Sequence, residues 1–350
     1  MKLQEFVNLS ELTTIQLGGR ARYFVECTSI EEIIEALEFA ENRQLSCVII
    51  GGGSNVVFSD KGYDGLVLKV GLRGKVFEDE GSIVHASIAA GEPWDDFVKF
   101  CVEQELAGVE CLSGIPGLTG ATPIQNVGAY GQEVSDTIEE VTVLDRSTKS
   151  VFKFNGSECG FGYRTSRFKL ADKGRFIIIG VGFALRKHGA PLIKYPELLD
   201  QFKIWEGRTK VTLNLVRSAV LTLRKKKSMI LDPDDPNSKS VGSFFVNPVL
   251  NEGQFRTFMA KADELGVSDK VPIFPVKGGV KISAAWLVEN AGFHRGFRKG
   301  GVGISANHAL ALVNFGGTTS ELIGLATEIR EKVMSIFGIK LEIEPLVLEE

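Results

Sequence analysis

The sequence is short of several things, and each shortage excludes something. Its five cysteines, Cys27, Cys47, Cys101, Cys111 and Cys159, are odd in number, and no two stand in a C-x-x-C spacing. That argues against a disulfide framework and a zinc site, and for a reducing compartment. The four histidines are scattered without an i,i+4 pair, so no metal site is expected. No uninterrupted apolar stretch reaches the roughly 18 residues of a membrane span. The N-terminus, "MKLQEFVNLSELTTIQLGG", lacks the continuous apolar core of a signal peptide. Positive charge is also in deficit: the net charge of −4 leaves no broad basic footprint for nucleic acid. Only "LRKKKS", 223–228, is densely basic, and it reads either as a solvated helix end or as an anion contact. The expectation is a soluble, cytoplasmic, monomeric protein whose partner is a small molecule, not a membrane or a nucleic acid.

What is present is ordinary globular composition, 44% hydrophobic over 350 residues, enough for two or three compact units. "SIEEIIEALEFAENRQ" opens with a capping box, Ser29 and Glu32, and repeats Ile30, Ile33, Ile34 and Leu37 at helical spacing. "EPWDDFVKFCVEQEL" predicts a helix with Pro93 in its first turn and Trp94, Phe97, Val98 and Cys101 facing inward. Strands are expected at "CVII", "LVLKVG", "SIVHASIAAG", "EEVTVLD", "SVFKF" and "RFIIIGVGFAL". A weakly structured stretch, 186–208, leads to the helix "VTLNLVRSAVLTLRKKK". From about residue 228 to 317 the pattern is that of a separate α/β unit, with the strand "GSFFVNPV" and helices "EGQFRTFMAKADELG" and "SAAWLVENAG". "TSELIGLATEIREKVMSIFG" predicts a last helix with Leu322, Leu325, Ile329 and Val333 on one face and Gly338 as its cap, before a strand "IKLEIEPLVL".

Five segments carry chemistry. "GGGSN", 51–55, follows the strand "CVII", and its glycines let main-chain N–H groups converge on a phosphate; a plain structural turn is the alternative. It is no Rossmann fingerprint, because "VVFSD" after it is β-rich where a helix should open. "SGIPGLTGATPIQNVGAYGQEV", 113–134, is too rich in Gly, Pro and Thr for regular structure, yet long for an idle loop. It offers a flat surface of main-chain donors, with Thr119, Thr122, Gln125 and Asn126 as side-chain hydrogen-bond formers. "FGYRTSRFK" sets Tyr163 beside Arg164, whose planar fork suits a carboxylate or a structural ion pair. "SVGSFFVNP" places one hydroxyl, Ser243, in a greasy strand, followed by Asn247. "LEIEP" puts Glu342 and Glu344 on one face of a strand, and alternation alone does not separate a catalytic acid from a solvent-facing residue.

In order and at fitting spacing, "IGGGSNVV", "GIPGLTGATPIQNVGAYG", "GYRTSRFK", "VGSFFVNP" and "LEIEP" resemble the UDP-N-acetylenolpyruvoylglucosamine reductases (MurB), from about residue 12 to the C-terminus. The resemblance implies an α+β fold: a two-lobed FAD-binding domain of the PCMH/vanillyl-alcohol-oxidase type plus a smaller α+β substrate-binding domain. It divides the chain into lobe 1 at 1–72, joined by 318–350, lobe 2 at 73–223, and a substrate domain at 224–317. An insertion near 187–208 looks like the longer subtype with a tyrosine loop. The resemblance assigns Gly51, Gly52, Gly53, Ser54 and Asn55 to the FAD pyrophosphate. Along the cofactor it places Gly114, Pro116, Gly117, Gly120, Ala121, Thr122, Gln125, Asn126, Gly128, Ala129 and Tyr130. Tyr163, Tyr195, Arg224, Lys227, Asn247 and Lys281 fall on the substrate side.

The implied reaction reduces an enolpyruvyl ether to a lactyl ether. NADPH reduces FAD, hydride passes from flavin N5 to C3 of the substrate, and Ser243 protonates C2. Arg164 and Glu344 meet the charge that builds on C2 and its carboxylate. A neighbouring Lys, a water or Asn247 would reprotonate the serine. The competing reading is an FAD-dependent oxidase or dehydrogenase of a sugar or hydroxy acid on the same scaffold; a third is a non-catalytic nucleotide-binding module. "GGGSNVV" has neither His nor Cys for covalent attachment, so FAD is expected to be non-covalent.

Overall fold

The structure, a computed structural model, describes residues 1–202, 210–276 and 278–348. The chain divides into two compact units, each assembled from separated stretches. Unit 1 takes Met1–Val7, Ala21–Gly53 and Asp64–Ile230; unit 2 takes Asn8–Arg20, Ser54–Tyr63 and Leu231–Glu350.

Among its described residues unit 1 has two larger sheets and one two-stranded hairpin. The first has four strands in the order Gln4–Asn8, Arg20–Cys27, Tyr63–Val70, Ser46–Ile50, the last two parallel. The helix Ile30–Asn42 packs on it through Ile33, Ala36, Leu37 and Ala40. Ser29 caps that helix by accepting from Glu32 N, but the Glu32 carboxylate takes the amide of Thr28, one residue earlier than a capping box would have it. The second sheet is antiparallel, running Val151–Asn155, Ile138–Asp145, Phe176–Lys187, Ile83–Ala89, Lys75–Asp79, with Leu106–Ala107 on the end of its longest strand. Its core is aromatic: Trp94, Phe97 and Phe183 are fully buried, with ring centroids 5.0–5.9 Å apart. Pro93 is the N-cap of the helix Trp94–Glu103 and does not lie within its first turn.

The stretch expected to be weakly structured is partly ordered. The strand runs on to Lys187, and a short helix, Pro196–Phe202, follows. Leu198 of that helix packs with Val216, Val220 and Leu223 of the helix Leu213–Lys226 and with Cys111. Residues 203–208 of the expected tyrosine-loop insertion lie outside the described residues.

Unit 2 is built on a four-stranded antiparallel sheet, Ser240–Ser243, Ala311–Asn314, Val302–Ile304, Arg298–Lys299, and a three-stranded one, Val249–Leu250, Gly279–Ile282, Ile273–Val276. Helices Glu252–Glu264, Ala284–Asn290 and Thr319–Phe337 share one core with them. In the last helix Leu322, Leu325, Ile329 and Val333 are fully buried, and Gly338 ends it with φ 68°, as its sequence predicts. Two expected strands are shorter than read. "GSFFVNPV" gives only Ser240–Ser243 and Val249–Leu250, and the segment 340–345 forms a single bridge, Ile343 to Phe245, before the strand Leu346–Leu348. Pro248 and Pro345, which have no N–H to donate, stand immediately before the strands Val249–Leu250 and Leu346–Leu348.

The C-terminal strand pairs in parallel with Val56–Phe58. Both of those strands belong to unit 2 together with 231–317. Among the described residues no helix is long and apolar enough to cross a membrane.

Candidate active site

In unit 1 the glycine turn leaves the strand Ser46–Ile50 and meets the 113–134 segment backbone to backbone. A Cβ placed on Gly52 would stand 2.8 Å from Gly117 Cα, and one on Gly120 would stand 2.4 Å from the Ala90 Cβ. No side chain other than hydrogen fits at either position. Gly53 has φ 67°.

The segment's own side chains hold the loop together. The Thr119 hydroxyl donates to Glu92 O at 3.1 Å and that of Thr122 to Thr119 O at 2.8 Å. Asn126, buried and with φ 47°, donates to Glu133 Oε2 and Gly162 O and accepts from Ser135 N. Thr122 and Asn126 thus spend these hydrogen bonds within the protein. Main-chain groups beside a glycine turn, at positions where no Cβ fits, suit the pyrophosphate of a dinucleotide such as FAD.

Gly128–Ala129 and Gln132–Glu133 form a tight hairpin. Tyr130 and Gly131 turn it with φ 49° and 83°, the signs of a type I′ turn. A tyrosine there is costly, and it is put to use. Tyr195 meets the Tyr130 ring edge to face at 5.6 Å, and the Lys227 ammonium lies 5.7 Å above the same ring. Burial pushes the Tyr130 phenol up to about 12, so it stays neutral. Lys227 also pairs with Glu197. Arg224 donates to Gly114 O at 3.2 Å and Met229 O at 2.7 Å, and desolvation lowers its pKa. The basic run is thus no plain solvated helix end: two of its members are turned onto this loop.

Tyr163 and Arg164 form the tip of a two-residue hairpin between Gly162 and Thr165. The guanidinium lies 5.3 Å from the Tyr163 ring centre and donates to Gly128 O at 2.7 Å. The structure therefore brings Arg164, Gly128, Tyr130, Tyr195 and Lys227 together on one unit.

Composition gave no sign of what supports these groups. Asp95 accepts a bidentate pair from Arg217 at 2.7 and 2.8 Å and also takes the Gly114 amide. Burial alone would raise the Asp95 carboxyl, but the bonds from Arg217 and Gly114 bring it below its ordinary value. Glu110, fully buried, accepts the amides of Gly108 and Leu192. An acidic residue in the first turn of a helix was the one available hint for Asp95.

Unit 2 places the other candidates. Ser243 ends its strand after a register shift, and Gly242 before it has φ 77°. Phe244, buried, ties down both sides of the main chain: its N–H donates to Leu310 O at 2.8 Å, and its carbonyl accepts from Glu344 N at 2.9 Å. The pairing sets Phe244 opposite Glu344, with Ser243 the next residue along the strand. Glu342 is exposed and Glu344 only partly so. Asn247 accepts the Ala284 N–H at 2.8 Å, at the start of the helix Ala284–Asn290, and Lys281 pairs with Val249 in the three-stranded sheet. The Asn55 carbonyl accepts from Leu346 N, so residue 55 is held by the C-terminal strand. Among the described residues no group of three His, Cys, Asp or Glu could hold a metal ion.

Comparison with known proteins agrees with this layout. A family model described as an FAD binding domain matches residues 21–153, and one described as the UDP-N-acetylenolpyruvoylglucosamine reductase C-terminal domain matches residues 234–348. A UDP-N-acetylenolpyruvoylglucosamine reductase from Thermobifida fusca is 45% identical over 98% of this chain and 97% of its own. The one from Mycobacterium tuberculosis is 41% identical over 99% and 95%. The crystal structure of the Thermus caldophilus reductase superposes with TM-score 0.68 over 100% of both chains at 22% identity, which supports the fold. The fold is α+β, with an FAD-binding domain of the PCMH type and a smaller C-terminal domain. Two domain matches in series and more than 40% identity along the whole length place the chain in the UDP-N-acetylenolpyruvoylglucosamine reductase (MurB) family.

Proposed function

We propose that this protein catalyses the NADPH-dependent reduction of UDP-N-acetylglucosamine enolpyruvate to UDP-N-acetylmuramate, a step in peptidoglycan precursor synthesis. Full-length identity to named reductases supports the activity. The main-chain geometry around Ser243 carries the mechanism: a hydroxyl set after a left-handed glycine and fixed by a buried, doubly bonded phenylalanine.

FAD, when bound and reduced by NADPH, would supply the hydride for the terminal carbon C3 of the substrate. Gly51, Gly52, Gly53, Ser54 and Asn55 and the backbone of 114–130 would hold that cofactor. Arg164 binds the substrate carboxylate and stabilises the negative charge that spreads onto it from C2. Ser243 then delivers a proton to C2, leaving a lactyl ether. A serine hydroxyl is a weak acid, so the transfer depends on a strongly basic carbon and a fixed hydroxyl. Glu344 supports the same carbon as acid or hydrogen-bond partner. The Asn247 carbonyl oxygen accepts from Ala284 N, which fixes the side chain at the start of the helix Ala284–Asn290. Tyr163, Tyr195, Arg224, Lys227 and Lys281 bind the nucleotide end and diphosphate. Residues 1–72 and 73–223 act as the flavin lobes and 224–317 as the substrate domain. The enzyme works as a cytoplasmic monomer, consistent with five free cysteines.

Anaerobic stopped-flow absorbance tests this. NADPH should bleach the flavin, and UDP-N-acetylglucosamine enolpyruvate should restore its colour. Ser243→Ala should bleach normally and recolour slower by about 10²-fold or more. Equal loss of both steps would refute the proton-donor role.

A further inference from the structure

We propose that Lys169 is a positioning residue for Arg164: its ammonium locks the strained turn that presents the guanidinium to the substrate carboxylate. The inference rests on the role just given to Arg164.

Arg164 is the second of the two tip residues of the Gly162–Thr165 hairpin and has φ 54°. Glycine is the usual residue at that place in a turn, and a residue with a Cβ is strained there. The same four residues contain a second unfavourable feature, the buried Thr165 hydroxyl, which has no hydrogen-bond partner among the described residues. A turn burdened twice relaxes unless its surroundings over-determine it.

The surroundings do so from several sides. Gly162 O accepts from Asn126 Nδ2 at 3.1 Å, and the buried Ser166 hydroxyl donates to Ile124 O at 2.6 Å. These bonds pin the two ends of the hairpin. The peptide between Arg164 and Thr165 remains. Its N–H points inward, donating to Gly162 O at 3.2 Å. Its carbonyl, Arg164 O, points the other way and accepts from Lys169 Nζ at 3.0 Å. Among the described residues that ammonium bonds a main-chain carbonyl and no carboxylate. A charge-assisted bond there opposes rotation of this peptide, and with it the swing of the Arg164 side chain.

Lys169 itself starts from firm ground. Phe168 is buried and meets Phe154 ring to ring at 6.0 Å, and Lys169 N donates to Ser166 O. Loss of the ammonium would therefore free the turn and leave the lysine's own backbone in place. A guanidinium misplaced by roughly 1 Å costs on the order of 100-fold in rate.

The test uses flavin-loaded Lys169→Met, Lys169→Arg, Arg164→Ala and the Lys169→Met/Arg164→Ala pair in anaerobic stopped-flow. Lys169→Met should slow recolouring by substrate about 100-fold, with unchanged bleaching by NADPH and unchanged KM. Lys169→Arg should recover most of the rate, and adding Lys169→Met to Arg164→Ala should cost nothing further. Three results would overturn the proposal. If Lys169→Met recolours normally while Arg164→Ala does not, Lys169 does not position the arginine. If Lys169→Met slows both half-reactions together and lowers Tm, its role is only to hold the fold. If Arg164→Ala recolours normally, the reading of Arg164 fails first and this inference with it.

Discussion

Two glycines fail in opposite ways when given a side chain. Gly52 has no room, since its Cβ would press on Gly117 Cα at 2.8 Å and the neighbour is backbone. Gly52→Ala should separate the two turns and weaken flavin binding at least about tenfold, worth about 1.4 kcal/mol; the flavin-to-protein absorbance ratio after purification checks it. Gly242 has all the room it needs, with nothing within 4 Å of a Cβ, but its φ is 77°. Gly242→Ala should keep its flavin, lose about 1 kcal/mol in urea unfolding, and slow recolouring by substrate, because the residue it aims is Ser243. From sequence the two look alike. Only φ and the distance to a neighbour distinguish a steric glycine from a conformational one.

The Thr319–Phe337 helix shows how far an element depends on residues distant in sequence. Its local capping box, Thr318 with Glu321, is readable in "TTSE". Its second cap is not: Asp60 accepts the amides of Thr319 and Ser320 at 2.7 and 2.8 Å and the Ser320 hydroxyl at 2.7 Å. Burial would raise the Asp60 carboxyl, yet the bonds from Ser320 and Thr319 hold it below its ordinary value. A carboxyl depressed in the folded state stabilises the protein above its unfolded pKa, about 3.9, and that contribution fades as pH falls through the lower folded value. Asp60→Asn should therefore cost about 1 kcal/mol at pH 7, with the gap to the parent protein closing below about pH 4. Urea midpoints from pH 3 to 7 measure it. The same contrast explains the strands. Periodicity located the longer helices and the strands Ser46–Ile50, Tyr63–Val70, Ile83–Ala89, Ile138–Asp145, Val151–Asn155 and Phe176–Lys187, but not Gln4–Asn8, Arg20–Cys27, Lys75–Asp79, the strands at 273–314 or the short helix Pro196–Phe202. Asp95 and Glu110 were illegible for a further reason: each acts on a main-chain group of another segment, Gly114 and Leu192, and no pattern of side-chain types records that.

At the scale of the molecule, neither unit is a continuous piece of chain. Five motifs in order made the family and its α+β class readable, because each motif is local. The division into units was less readable, since it depends on which segments pair, and Leu346–Leu348 pairs with Val56–Phe58. Val57, Ile15 and Leu17 lie in the same buried cluster as Leu322 and Leu341. A fragment of residues 231–350 would lack them, so it should show no cooperative thermal transition, whereas the full chain should. Burial also pushes every cysteine thiol above its ordinary value, Cys27 and Cys111 to about 12 and Cys159 to about 11. A thiol reagent should react slowly with the native protein and fully with all five once urea is added. The parallel pairing at the C-terminus carries one more consequence, for synthesis in the cell. Val56–Phe58 emerges from the ribosome a few residues after the glycine turn, but its partner strand, Leu346–Leu348, is made far later. The segment 54–58 must wait, without its neighbour, until that strand has been synthesised. Flavin capture by this turn should therefore follow synthesis of residues 346–348, and nascent chains stalled before residue 346 should carry no flavin.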